Sequence, residues 1–252
     1  MAGVVLAAGA GSRLAPLSRL RPKALCPVDN VALLDHGIAR LATATGAIAV
    51  NAHHGLAQME QHLVSHEGPG VHLSIERDRA LGTAGALGLL REWIDARPVL
   101  VTNADAWLPV ELGSFVDGWD GERIRLLVVE DRARPDFGSA RYCGVALLPW
   151  ADVADLEPHP SGLYEVSWRY AFELGRLDLV DHEGLFVDCG TPADYLRANL
   201  LASGGASVIG PGAQVEPSAV LERSVVWADA VVERGEHLTD AIRTGELTVL
   251  VR

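Results

Sequence analysis

The sequence predicts an α/β fold, a mixed sheet flanked by helices, followed by a short C-terminal left-handed parallel β-helix segment. Three observations carry this. Short apolar runs alternate with helical patterns through roughly the first 200 residues, the base signature of a layered α/β domain. Ser203-Gly204-Gly205 then breaks the pattern as a linker does. Beyond it a six-residue period runs through Ile209, Val215, Leu221 and Trp227, with Ala213, Ala219, Val225 and Val231 between them. The chain therefore divides into a main domain over 1–203 and a hexapeptide-repeat tail over 204–252.

The elements follow in order. Residues 4–8 read as a fully buried strand, 33–44 as a helix, 47–51 as a strand and 56–64 as a helix. Residues 71–76 alternate like a strand, 84–93 are helical in pattern and 99–102 form another buried strand. Later strands are predicted at 125–130 and 145–148, and helices at 164–174 and 193–202. Pro192 suits the first turn of that last helix, where its missing N–H costs no hydrogen bond. Gly210-Pro211-Gly212 and Glu216-Pro217-Ser218 supply turns in phase with the hexads. So few hexads cannot bury a core alone, so the tail must pack on the main domain or on another subunit, the latter making a homo-oligomer.

Composition narrows the partners. The 252 residues carry a net charge of −12, which argues against a nucleic-acid binder, since that requires a basic face. Cys26, Cys143 and Cys189 are odd in number and lack CxxC spacing, so neither a disulfide framework nor a zinc cluster is expected. No apolar run approaches the ~20 residues of a membrane helix. The apolar start lacks a positive n-region, so no signal peptide is expected and the cytoplasm is the predicted setting.

The first loop, Gly9-Ala10-Gly11-Ser12-Arg13-Leu14, invites a dinucleotide-binding reading, but Leu14 stands where the third glycine belongs and the strand that should end in an acid ends in Asn51. No Gly-Lys-Ser/Thr follows, which excludes a P-loop. The glycines still let backbone N–H groups approach an anion. Lys23, in Arg21-Pro22-Lys23, is the only lysine in the chain. A compact ammonium beside a glycine loop suits a phosphoryl group. Asp105 follows the buried strand 99–102, and Asp188 follows Phe186-Val187. Carboxylates on two strand ends can converge on one Mg²⁺, which takes oxygen ligands, phosphates and water. His53-His54 has no third ligand spaced nearby, and Mg²⁺ avoids imidazole.

Leu6-Ala7-Ala8-Gly9-Ala10-Gly11-Ser12-Arg13-Leu14, with Pro16-Leu17 and Pro22-Lys23, resembles the signature of sugar-1-phosphate nucleotidylyltransferases. Three further stretches match in order, so the resemblance spans about residues 3–200. They are Leu81-Gly82-Thr83-Ala84-Gly85, similar to the nucleobase loop; Asn103-Ala104-Asp105, where the family has Asn-Gly-Asp; and Phe186-Val187-Asp188-Cys189-Gly190-Thr191-Pro192. The resemblance implies a Rossmann-like fold of the nucleotide-diphospho-sugar transferase type. It implies transfer of a nucleotidyl group from an NTP to a sugar 1-phosphate, with Mg²⁺ on Asp105 and Asp188. Leu6, Ala7, Ala8, Gly9, Ala10, Gly11, Ser12, Arg13, Lys23, Glu76, Gly82, Thr83 and Asn103 would bind the nucleotide. Arg13, Lys23 and Asp105 would carry catalysis. Gly144 and Glu165 would contact the sugar.

The sugar phosphate is already anionic, so attack on the α-phosphorus needs no general base; the obstacle is one anion approaching another. Arg13 and the Gly9–Ser12 amides would hold the leaving pyrophosphate, and Lys23 the charge around the α-phosphate. Glu76 offers a guanine edge two acceptors, and the Leu-Gly-Thr-Ala-Gly loop is similar to guanylyl-type members, so guanylyl transfer onto a mannose or heptose 1-phosphate is expected. Val50-Asn51-Ala52-His53-His54 resembles N-acetylmuramate-1-phosphate uridylyltransferases, the alternative. The family's Glu-Lys-Pro element is absent, with Ala133-Arg134-Pro135 nearest, which leaves Arg134 or Arg141 to grip the sugar phosphate. A catalytically silent regulatory relative is a further reading, opposed by the intact Arg13, Lys23, Asp105 and Asp188. A nicotinamide oxidoreductase is opposed by Leu14 and Asn51. The remaining Asp, Glu and Arg residues read mostly as solvated faces.

Overall fold

The computed structural model describes residues 1–66 and 68–251. Seven strands form the central sheet: β1 (Ala2–Leu6), β2 (Ile48–Ala52), β3 (Val71–Ile75), β4 (Val99–Asn103), β5 (Ile124–Glu130), β6 (Ala140–Leu148) and β7 (Leu177–Asp181). Their spatial order is β7-β5-β6-β4-β1-β2-β3. All neighbours are parallel except β6, which runs antiparallel to both β4 and β5. The sheet is therefore mixed. Helices α1 (Leu33–Ala42) and α2 (Leu56–Ser65) cover one face, and α3 (Gly82–Ile94) the other. Parallel strands buried on both faces read as continuous Val/Leu/Ala runs, which is why β1 and β4 were legible.

Several boundaries differ from the sequence expectation. β1 stops at Leu6, because the Ala7 amide leaves the ladder to donate to Asn51 Oδ1 at 2.7 Å. The predicted helix over 164–174 is a π-helical turn, Tyr164–Trp168, followed by one short helix, Arg169–Glu173. β7 was not anticipated, since its residues are half-exposed and end in an acid. β6 starts five residues before the predicted strand, at Ala140, because its first half carries Arg141, Tyr142 and Gly144.

After helix α4 (Pro192–Ala202) the chain forms short strands that pair in parallel seventeen residues apart: Val208–Ile209 with Val225–Val226, Gln214–Val215 with Val231–Val232, and Val220–Glu222 with His237–Thr239. The stacking residues are Ile209 on Val226, Val215 on Val232 and Leu221 on Leu238. The hexad thus slips by one residue between Leu221 and Val226, and Trp227 falls out of the stack. It turns to the main domain instead, donating its indole N–H to Tyr195 Oη at 3.0 Å beneath the Arg21 guanidinium. Val231 and Ile209 are exposed, whereas Val208 and Val232 are buried, Val208 against the main domain and Val232 within the tail.

One apolar cluster joins Leu14, Leu17 and Val28 of the main domain to Tyr195 of α4 and Val208, Val225, Trp227 and Ile242 of the tail. One side of the tail thus packs on the main domain of its own chain. Among the described residues no helix is long and apolar enough to cross a membrane. The three cysteines are free and buried, and burial pushes the Cys26 and Cys143 thiols up to about 12. They are inert as nucleophiles.

Candidate active site

The cleft lies where β1, β4 and the start of α3 meet, at the carboxyl edge of the parallel strands. A buried polar chain builds its floor. Asn51 at the end of β2 accepts from the Ala7 amide and donates to Glu76 Oε1 at 2.6 Å; Glu76 Oε2 accepts from the Leu81 amide at 2.7 Å. Three strand ends and the entry to α3 are thereby tied together. His54 Nδ1 reaches the Ala8 carbonyl at 3.1 Å and His53 Nδ1 the Glu76 carbonyl at 2.7 Å, so this pair braces the loops.

Beyond Ala7 the chain turns through Ala8, Gly9, Ala10 and Gly11. Among the described residues no protein acceptor takes any of these four amides. A run of unpaired N–H groups at a strand end is an anion site. Gly11 has φ +61°, and a Cβ there would lie 2.8 Å from Lys23 Cβ. The missing side chain therefore lets the lysine stem lie against the loop.

Lys23 is only 8% exposed. Its Nζ donates to Asp105 Oδ2 at 2.7 Å and stands 3.7 Å from Asp188 Oδ1. Backbone pairing explains the convergence. The two-residue strand Val187–Asp188 runs antiparallel to Ala106–Trp107, with Asp188 opposite Ala106, and the Cys189 amide donates to the Asp105 carbonyl at 3.0 Å. Two acids 83 positions apart thus become neighbours on adjacent rungs. Arg141 Nη2 donates to Asp188 Oδ2 at 3.2 Å and its Nη1 lies 3.3 Å from Asp131 Oδ2; Arg13, largely exposed, reaches within 3.8 Å of Asp188.

Two cavities meet here. One, of about 200 Å³, is walled by Leu6, Ala8, Gly9, Asn51, Gly82 and Thr83. The other, of about 120 Å³, is walled by Arg13, Arg141, Tyr142, Gly144 and Asp188. Asn103 and Asp105 belong to both and form the seam. Lys23, Arg13 and Arg141 against Asp105 and Asp188 make a small cationic island in an acidic chain. Such an arrangement can hold two anions close together over one acid pair.

Oxygen-only donors from Asp105 and Asp188, 42% and 27% exposed, keep lone pairs free beyond their contacts with Lys23. That donor set fits Mg²⁺, which needs only one or two carboxylates when phosphates and water complete its shell.

Not every expected residue comes to the cleft. Glu76 is 3% exposed and both its oxygens are engaged by the chain, so it anchors loops and is not free to read a guanine edge. Glu165 is exposed, folded over Gly162, and walls neither cavity. Of the two arginines, Arg141 lines the second cavity, whereas Arg134 is exposed beside Asp131. The glycines of Leu81–Gly85 serve chain crossing: a Cβ on Gly82 would meet the Ser161 carbonyl at 2.5 Å and one on Gly85 the His159 carbonyl at 2.2 Å. Ala80 in the wall of the first cavity, and Arg40 behind the turn that carries Asp105, were missed. Asn51, read as evidence against a dinucleotide fold and as part of the uridylyltransferase-like stretch, is a wall residue.

The Glu76 assignment has a direct consequence. Glu76→Gln places an amide donor against one of two buried N–H groups, a loss of about 1–3 kcal/mol. The expected result is a lower Tm with an unchanged UTP-to-GTP preference in initial rates; a shift in base preference at constant Tm would return Glu76 to the nucleobase.

A family model described as nucleotidyl transferase matches residues 2–142. The chain is 30% identical over 227 residues to the N-acetylmuramate alpha-1-phosphate uridylyltransferase of Caulobacter vibrioides, covering 77% of this chain and 94% of that protein. It is 26% identical over 233 residues to the mannose-1-phosphate guanyltransferase of Candida albicans, covering 80% of this chain and 64% of the relative. In three dimensions it superposes on HddC from Yersinia pseudotuberculosis with a TM-score of 0.67 at 22% identity, over 80% of this chain and all of that one.

Proposed function

The chain belongs to the nucleotidyl transferase family, and on that premise we propose that it joins a nucleoside triphosphate to a sugar 1-phosphate, releasing pyrophosphate, with UTP as donor and N-acetylmuramate 1-phosphate as the first acceptor to try. The observation that carries the reading is the seam: one cavity floored by free amides, a second walled by Arg13 and Arg141, and Lys23 and Asp105 between them. Uracil is preferred to guanine on two grounds. The carboxylate that would have accepted from guanine is consumed within the fold, and the 30% identical relative, matched over 94% of its length, is a uridylyltransferase.

In the reaction a phosphate oxygen of the sugar 1-phosphate attacks the α-phosphorus, and the bond from that phosphorus to the bridging oxygen breaks as pyrophosphate leaves. No proton has to move, so the chain's work is electrostatic. The amides of Ala8–Gly11 and Arg13 bind the β- and γ-phosphates. Lys23, fixed by Asp105 and Asp188, offsets charge gathering at the α-phosphate. Arg141 holds the incoming sugar phosphate, and Gly144 lines the same cavity, its missing side chain letting Ala106 pack against the strand. Asp105 and Asp188 would hold Mg²⁺, which when bound supplies charge neutralisation and in-line orientation. The tail is read as two coils of a left-handed β-helix, supported by its seventeen-residue parallel pairing.

The test is a pyrophosphate-release screen of ATP, CTP, GTP, UTP and dTTP against sugar 1-phosphates, with Mg²⁺. Turnover with UTP and N-acetylmuramate 1-phosphate is expected. Turnover confined to GTP with mannose 1-phosphate would replace uracil by guanine, and no release with any pair would favour a silent relative.

A further inference from the structure

Away from the cleft, helix α2 ends with two histidines four positions apart, His62 and His66, both turned towards Asp35 of α1. His62 Nε2 lies 2.8 Å from Asp35 Oδ1, and His66 Nδ1 lies 3.2 Å from the same oxygen. All three donor atoms lie within 4.8 Å of one another, in half-buried side chains. The second nitrogen of His66 is buried and has no hydrogen-bond partner among the described residues, while the first faces Asp35.

We propose that Asp35, His62 and His66 form a second metal site that takes a divalent transition metal, of which Zn²⁺ is the representative. Ligand atoms on a tetrahedral zinc with bonds near 2.0–2.1 Å stand roughly 3.3 Å apart. The two distances to Asp35 Oδ1 need change by only tenths of an ångström to meet that spacing. Two imidazoles and one carboxylate select Zn²⁺ and its neighbours over Mg²⁺, so this site and the acid pair of the cleft draw on different ions. On binding, the facing ring nitrogens present lone pairs and their protons move to the far ring nitrogens or to water. Asp35 and His62 also line an open hollow with Gln58, Gln61 and Arg21, which supplies an entry path and a place for a fourth ligand. The proposal concerns neither the nucleotide nor the sugar and stands apart from the transferase reading.

The test uses untagged full-length protein stripped with chelator. Zn²⁺ is titrated in competition with a chromophoric chelator, and Co²⁺ is added separately to read the visible band of a four-coordinate site. One equivalent of Zn²⁺ with micromolar or tighter affinity is expected, undisturbed by millimolar Mg²⁺. His62→Gln and Asp35→Asn should each weaken it at least about tenfold and remove the cobalt band, while His53→Gln leaves both intact. Circular dichroism of each variant checks that it folds. No binding by the wild-type chain, or binding unaltered in both variants, would overturn the assignment.

Discussion

Lys23→Met is expected to lower kcat by about 10²–10³-fold, the loss seen when one preorganised charge-stabilising donor is removed, with little change in Tm. The lysine stem is packed against Gly11, and its ammonium is aimed by Asp105 and Asp188 before any substrate arrives. Methionine fills the same volume without the charge. Asp105 and Asp188 are exposed enough to be rehydrated, and Asp188 keeps Arg141, so the fold tolerates the change. Because Lys23 acts on charge that gathers in the transition state, the loss should fall on kcat more than on KM for the nucleotide. Lys23→Arg is expected to rescue poorly, since the buried ammonium is a compact charge set 2.7 Å from Asp105 Oδ2 and 3.7 Å from Asp188 Oδ1, a place a wide planar guanidinium cannot take. Steady-state rates of pyrophosphate release check all three statements. A Lys23→Met enzyme within tenfold of wild type would remove the ammonium from the chemistry.

The sequence made the cleft's chemistry legible where residue type and chain position are sufficient. A lone lysine beside a glycine loop, and acids directly after buried strands, announce themselves without any knowledge of pairing. The antiparallel rung that seats Asp188 opposite Ala106 does not, because two-residue strands carry no periodicity. Glu76 was misassigned for a related reason. An acid at the end of a strand before a glycine loop has the same sequence appearance whether it faces a base or, as here, the amide of Leu81. The tail shows how a periodic reading can misplace a residue: the short strands pair seventeen residues apart, five residues separate Leu221 from Val226, and Trp227 turns to Tyr195. The same gap between residue type and placement hid Arg40.

Arg40 sits in α1, in Ile38-Ala39-Arg40-Leu41, where a charged residue reads as a solvated face. Instead it is 4% exposed and meets no carboxylate among the described residues. Its Nε donates to the Leu108 carbonyl at 3.1 Å, Nη1 to Thr102 Oγ1 at 2.5 Å and Nη2 to the Ala106 carbonyl at 3.0 Å. These acceptors bracket Asn103-Ala104-Asp105, so one guanidinium holds both ends of the turn that presents Asp105. Burial pulls its pKa down to about 10, which still leaves it charged at neutral pH. Arg40→Met removes the three donors and strands their acceptors in the interior, a cost of about 3–5 kcal/mol in sum, or roughly 6–20 °C in Tm for a chain of this size. Arg40→Lys retains a charge but cannot span three acceptors in different directions, so it should recover only part of the loss. At temperatures where the variants remain folded, kcat should fall about tenfold, since small displacements of a catalytic group are costly. Calorimetry and rates measured on the same preparations decide the matter: an unchanged Tm in Arg40→Met would mean that the turn carrying Asp105 is held by something other than this arginine.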